Sequence, residues 1–343
     1  MTIHSILACV DFTEQSLSAA RWAALQLAPD AHVILTHVVP TPEIPSFLRT
    51  ELRSPSTLGA DFAPRMRRAL RGFARSLGEH RTSVRILVGR PEEAICALAA
   101  EVNADLIVLG RGVRRRGSAR FGGTVTTRVL AASSRPVLIA HDAFPRRPRR
   151  IVAAVDHHPS SGYLLESACN LVADARVDAI HVVDPQLTRY LRAFAARAAF
   201  ADASAGARAE RWLDLRVLQW LASMAEAVSP DVGRLARVVG HGDPGEQILR
   251  HARAVAADLV VVGAGGDGVR QPGRLGVGST ARLVSWAAPC AVLVVPTIGA
   301  DAEPYAPVVV ARDDEVIPPA VLARLRGTRT RGSWPQAPGD GAA

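Results

Sequence analysis

Ile6-Leu-Ala-Cys-Val-Asp11, near the start of the chain, and Ile151-Val-Ala-Ala-Val-Asp156, near its middle, are two versions of one segment. Each is a short apolar run stopped by an aspartate, which reads as a buried strand ending at a polar turn. Further out, Gly89-Arg-Pro-Glu-Glu93 is answered by Gly242-Asp-Pro-Gly-Glu246. Ala104-Asp-Leu-Ile-Val-Leu-Gly110 is answered by Ala257-Asp-Leu-Val-Val-Val-Gly263. Matched segments in a constant order mean a duplicated unit. Each copy has roughly 145 residues, long enough to bury a core of its own.

Between these anchors the first copy alternates strands and helices. Strands are expected at Ser5–Val10, His32–Val39, Val84–Val88, Leu106–Leu109 and Val137–Ala140. Thr13 can cap a helix that Pro29 stops, and Pro91 can open one that turns Ile95, Leu98 and Ala99 inward. A proline-rich loop from Pro40 to Pro64 precedes a basic amphipathic helix ending near Gly78, and another helix starts at Thr124. The second copy repeats the order with strands at Ile151–Val155, Ala179–Val183, Leu235–Val239, Leu259–Val262 and Val292–Val295. Its connection Gln186–Ser229 is longer and helical in composition, and Trp212, Leu215, Leu218 and Leu221 are expected to pack in the core or between domains.

Continuous apolar strands between helices predict a parallel sheet covered on both faces. The fold class is therefore α/β, with two tandem doubly wound parallel-sheet domains. The expected boundaries are 1–143 and 151–297, with a proline-stiffened linker at 144–150 and a disordered tail at 298–343.

Bulk properties exclude several classes. No apolar run approaches the 18 or so residues that span a bilayer, and nothing resembles a signal peptide, so a cytoplasmic protein is expected. The four cysteines stand far apart with no C-x-x-C pair, which argues against a zinc site or a disulfide framework. The net charge is +9, yet all 41 cations are arginine and are spread over nearly every helix. Clusters at Arg111–Arg120 and Arg146–Arg150 come without a nucleic-acid-binding motif, so nucleic acid is not expected as a partner.

In an open parallel sheet, ligands sit beyond the carboxyl ends of the strands, where strand order reverses. The features shared by the copies gather there. Asp11 and Asp156 follow the first strands, Val39 and Val183 end the second, and Gly110 and Gly263 end the fourth. Gly123-Thr124 and Gly278-Ser279 open the next helices, where exposed amides and the helix dipole favour phosphate. His37 and His181 read as structural, and His157 and His158 as loop residues. No nucleophile motif is present.

Taken in order, these marks resemble the universal stress protein family in a tandem form, over about residues 1–296. They are the first-strand aspartates, His37-Val-Val39 and His181-Val-Val183, the Ala-Asp-Leu-Ile/Val-Val-x-Gly strands, the glycine loops, and the endings Arg135-Pro-Val-Leu-Ile139 and Pro289-Cys-Ala-Val-Leu-Val-Val295. The resemblance implies a Rossmann-like, adenine-nucleotide-hydrolase-like fold, with the last strands Val137–Ala140 and Val292–Val295 pairing the domains as an internal pseudo-dimer. It also implies ATP with Mg²⁺ bound through a loop of pattern G-x2-G-x9-G-[ST], a homodimer, and action in stress survival through an unidentified protein partner. By position, repeat one would use Ala8, Val10, Asp11, Val39, Gly110, Gly123, Thr124 and Val125. Repeat two would use Ala154, Val155, Asp156, Val183, Gly263, Gly266, Gly278, Ser279 and Thr280.

Both copies depart from the pattern. Repeat one has Val113 where the second glycine belongs. If that position needs positive φ, a β-branched residue costs about 1–2 kcal/mol or more, and Gly112 next door offers the turn an alternative. Repeat two keeps Gly263 and Gly266 but has eleven residues before Gly278-Ser279. Its glycine framework is the more intact. Two other readings stay open at this stage: an interaction scaffold that has lost nucleotide binding, and a slow ATPase using Asp11 or Asp156.

Overall fold

The computed structural model describes residues 2–40, 55–78, 81–112, 124–140, 147–198, 205–229, 231–265 and 277–296. The expected tail at 298–343 lies outside them, as do residues 144–146 of the expected linker. Repeat one runs β1 (Ser5–Cys9), α1 (Glu14–Trp22), β2 (His32–Pro40), α2 (Pro55–Leu77), β3 (Thr82–Gly89), α3 (Pro91–Glu101), β4 (Leu106–Gly110), α4 (Thr124–Ala132) and β5 (Val137–Ala140). Repeat two runs β6 (Arg150–Ala154), α5 (Ser161–Leu171), β7 (Arg176–Val183), α6 (Pro185–Ala198), α7 (Ala205–Val228), β8 (Leu235–His241), α8 (Pro244–Ala254), β9 (Leu259–Gly263), α9 (Ser279–Ala287) and β10 (Ala291–Val295). Among the described residues no helix is long and apolar enough to cross a membrane.

The ten strands of the described residues form one sheet in the order β3-β2-β1-β4-β5-β10-β9-β6-β7-β8. Neighbours within each half are parallel, and only β5 and β10, which join the halves, run antiparallel. Leu138 stands opposite Leu293 at that join, and both are fully buried. Each half reverses its strand order beside its first strand, between β1 and β4 and between β6 and β9, so each half carries the crevice of a doubly wound fold.

Strand alternation sends side chains to two core layers. Ile6, Ala8, Leu35 and Leu106 pack against α1 and α2, while Leu7, Ile34, Ile107 and Leu109 pack against α3 and α4. The second half repeats this, with Ala153, Ala179 and Val261 facing α5 and α7, and Val152, Ile180 and Val260 facing α8 and α9. Thr13 caps α1, its hydroxyl accepting from the Ser16 amide, and Asp243 caps α8 through the Glu246 amide.

One pair breaks the correspondence. Ile34 in β2 lies beside Leu7, and the matching place in β7, beside Val152, holds Asp178. Leu98 of α3 is matched in α8 by His251, whose Nε2 lies 2.8 Å from Asp178 Oδ2. An apolar contact in repeat one is thus a half-buried polar pair in repeat two.

Two expectations need correction. The helix expected after Pro64 begins at Pro55, and Pro64 lies inside it. The fixed φ of Pro55 suits a first helical turn, where its missing N–H costs nothing. The stripe Trp212, Leu215, Leu218 and Leu221 does not form one buried face. Leu221 is fully buried, but Leu215 is 60% exposed. Steps of three turn a helix by about 300°, so the stripe winds halfway round its axis. The buried face is Leu213, Val217, Leu221, Met224 and Val228.

Candidate functional site

A cleft of about 340 Å³ opens at the carboxyl ends of β6, β7 and β9, at the switch point of repeat two. Ala154, Val155, Asp156, Gly263, Gly278, Ser279 and Thr280 line it, all of them expected from the sequence. Gly266 lies outside the described residues. Val183 is not among the lining residues, whereas Ile180, His181 and Val182 of the same strand are. The side chain of Val183 is 2% exposed and packs in the core layer under α5 and α7.

Local chemistry shapes each wall. Asp156 ends the first strand of repeat two and organises the turn into α5. Its Oδ1 accepts from the His158 amide at 3.0 Å and the Ser161 hydroxyl at 2.7 Å, while its own amide donates to the Ser161 oxygen at 3.1 Å. Both turn bonds fall on one carboxylate oxygen, which leaves Oδ2 for other work. At the opposite wall the Gly278 amide donates to the Ala264 carbonyl at 2.8 Å, drawing the two ends of the glycine loop together. Gly278 is the N-cap of α9 and supplies no side-chain cap, so the amides of the first turn face the cleft end without an internal partner.

His181 closes the inner wall. Its Nδ1 is 2.9 Å from the Val155 carbonyl, an acceptor, so Nδ1 carries the proton. Burial pushes the His181 pKa below the ordinary imidazole range, against the opposing pull of the Val155 carbonyl and the Asp156 charge. The ring packs against His157 at 4.5 Å and, edge-on, against Trp220 of α7 at 5.2 Å. Because its folded-state pKa is depressed, the unfolded chain takes up the proton first. Stability from this group is present above the unfolded pKa near 6.5 and is lost as pH falls below it. Urea midpoints measured from pH 7 to pH 5 should fall for the native chain and flatten in His181→Asn. An unchanged slope in the variant would remove His181 as the cause.

Repeat one has the same turn. Asp11 Oδ1 accepts from the Thr13 amide at 3.0 Å and the Thr13 hydroxyl at 2.5 Å, and the Asp11 amide donates to the Ser16 oxygen at 3.2 Å. Burial raises the Asp11 pKa, but hydrogen bonds with Ser16, Thr13 and the backbone outweigh it and hold the carboxyl below its usual range. His37 Nδ1 meets the Val10 carbonyl at 2.7 Å, and Phe12 stacks on the His37 ring where repeat two has His157. Ala8 and Val10 are buried, so only their backbone can meet a ligand. Val39 lies in β2 and is partly exposed. Gly110 ends β4, Thr124 opens α4 and Val125 follows, while Gly123 lies outside the described residues, as does Val113.

Gly112 has φ of +77°, so this glycine takes the left-handed turn beside Val113. Arg111, the first of the basic cluster Arg111–Arg120, donates from its guanidinium to the Trp286 carbonyl of α9. Ser16 and Ser161, five residues after the aspartates, escaped the sequence reading. The repeated Asp-x4-Ser spacing was the available signal.

A doubly wound α/β unit is present here in tandem, and the second copy carries a cleft at its switch point, walled by an aspartate turn and a helix N-terminus without a side-chain cap. The family model of the universal stress protein family matches residues 2–141 and again 148–296, and the chain belongs to that family. Solved structures share the fold. A universal stress protein from Archaeoglobus fulgidus DSM 4304 is 18% identical, with 86% of this chain and 98% of that chain covered and a TM-score of 0.56. A functionally unknown protein from Pseudomonas aeruginosa PAO1 is 19% identical, with 86% and 93% covered and a TM-score of 0.55. No curated protein matches.

Proposed function

We propose that repeat two binds an adenine nucleotide in this cleft, and that occupancy is the signal the protein passes on. The observation that carries the reading is the convergence of Asp156, Gly263 and the amides opening α9 on one cleft whose volume falls in the small-molecule range. The apolar part of the lining, with Ile180, Val182 and Ile248, suits a purine, and the amides and hydroxyls at Gly278, Ser279 and Thr280 suit phosphate.

Among the described residues, no group of three or more His, Cys, Asp or Glu could hold a metal ion. A Mg²⁺ would therefore arrive with the phosphates, with Asp156 Oδ2 as the protein carboxylate beside it; Mg²⁺ commonly binds through one or two carboxylates and substrate phosphates. Ligand at the carboxyl edge of β9 changes the surface that this edge offers to a partner protein, which supports a role in stress signalling.

Calorimetry of the purified chain with ATP and Mg²⁺ is expected to show saturable binding. Asp156→Asn keeps an oxygen for the turn but removes the charge, and should weaken binding about tenfold or more in Mg²⁺, with a smaller effect in EDTA. Absence of binding by ATP, ADP and cyclic nucleotide at millimolar ligand, with no absorbance excess at 260 nm in the purified protein, would reject the reading.

A further inference from the structure

The connection after β7 is a pair of helices, α6 and α7, where the described part of the matching connection in repeat one holds α2 alone. α6 is anchored on its inner side. Leu191 is 6% exposed and joins the core layer under α5 and α7, and Arg192 pairs with Glu210 of α7 at 2.6 Å. The outer side holds Tyr190 and Phe194, 51% and 45% exposed and one helical turn apart. Of the five large apolar side chains exposed among the described residues, these are the two aromatic ones, and they are neighbours. Single apolar residues on a surface are ordinary, whereas contiguous apolar surface marks a contact. The helix sequence also contains three arginines and no acid. With Arg192 engaged by Glu210, Arg189 stands exposed beside Tyr190. The occupant that fits such a face is an apolar segment followed by acids.

The same chain contains one. Beyond β10, outside the described residues, the sequence reads Tyr305-Ala-Pro-Val-Val-Val-Ala-Arg-Asp-Asp-Glu315. Asp313-Asp314-Glu315 is the only run of three consecutive acids in a chain of net charge +9. The topology delivers this segment to the right edge of the sheet. β10, β9, β6 and β7 are successive parallel neighbours, so the chain leaves β10 and enters α6 at the same edge. The two points are three strand spacings apart, about 14 Å. The nine residues Thr297–Tyr305 reach about 30 Å when extended, which spans that gap and the rise of α6 as far as Phe194.

We propose that the segment Tyr305–Glu315 docks on the outer face of α6 of its own chain, with its valines against Tyr190 and Phe194 and its acids beside Arg189. The tether makes a modest contact sufficient, because a short linker holds its end at an effective concentration on the order of millimolar. The contact lies on the outer helix layer, apart from the cleft of repeat two, and stands whether or not that cleft takes a nucleotide.

Photo-crosslinking of the full chain tests the assignment, with Phe194→p-benzoylphenylalanine as the probe. Irradiation followed by digestion and mass spectrometry is expected to join position 194 to the peptide containing Val308, Val309 and Val310, in a product that stays monomeric on a denaturing gel at every protein concentration. Replacing the three valines by serine in the same chain should lower that yield about tenfold or more, since the apolar contact is removed while the tether is kept. The same probe at Leu25, an exposed apolar residue of repeat one, reports random collision by the tail and should give little of this product. Crosslinked dimers in place of the internal product would make a second copy the occupant and overturn the proposal. A yield equal to that at Leu25, or unchanged by the serine replacements, overturns it as well.

Discussion

His251→Leu alone is expected to cost about 3–5 kcal/mol of folding stability, because it strands the Asp178 carboxylate in a largely apolar layer. The Asp178 side chain is 13% exposed, and its direct partners across the sheet, Val152 of β6 and Ala236 of β8, are apolar. The double variant Asp178→Ile with His251→Leu installs the pair that repeat one already holds at Ile34 and Leu98. It should recover native stability or exceed it, since a polar pair in this layer costs desolvation that an apolar pair does not. Urea unfolding of the two single variants and the double gives the coupling directly. Additive losses would show that the two side chains do not act as a pair.

Gly110→Ala should destabilise the chain by about 1–3 kcal/mol, whereas the equivalent change in repeat two, Gly263→Ala, should be within about 0.5 kcal/mol of native. A methyl at Gly110 would stand 2.9 Å from the backbone Cα and N of Ser16, atoms that cannot rotate away. At Gly263 the nearest atom is the end of the Leu164 side chain at 3.7 Å, an ordinary contact. Neither glycine has positive φ, so conformational strain does not enter the comparison. The Gly110 variant also presses on the residue that holds the Asp11 turn. Equal losses at the two positions would show that the close approach of α1 to β4 is not what selects glycine there.

The sequence was most readable where one side chain's role is settled by its neighbours along the chain. Apolar runs ended by Asp11 and Asp156, the Thr13 cap and the proline opening α3 all depend on local contacts. Side chains answered from far away were misread or missed. The second strand of repeat two was expected to start at Ala179 because Asp178 breaks the apolar run, yet β7 begins at Arg176. The carboxylate is tolerated because His251, 73 positions away, meets it. The contact of Arg111 was not legible for the same reason, since its partner Trp286 lies 175 positions on. In α7 the residue types were right and the phase was wrong, because a three-residue spacing does not follow a helical turn. The candidate site was legible through Asp156, Gly263 and Gly278. The Val183 side chain turns into the core layer because adjacent strand residues point to opposite faces.

The antiparallel contact of β5 with β10 carries a consequence for how the two copies stay together. Separate chains that met through these strands would come apart on dilution. Here a covalent tether from Ala140 to Arg150 makes the encounter intramolecular, so it is governed by an effective local concentration and not by protein abundance. The paired arrangement therefore persists at any expression level, and the two copies are free to diverge, one retaining chemistry that the other can lose without dissolving the partnership.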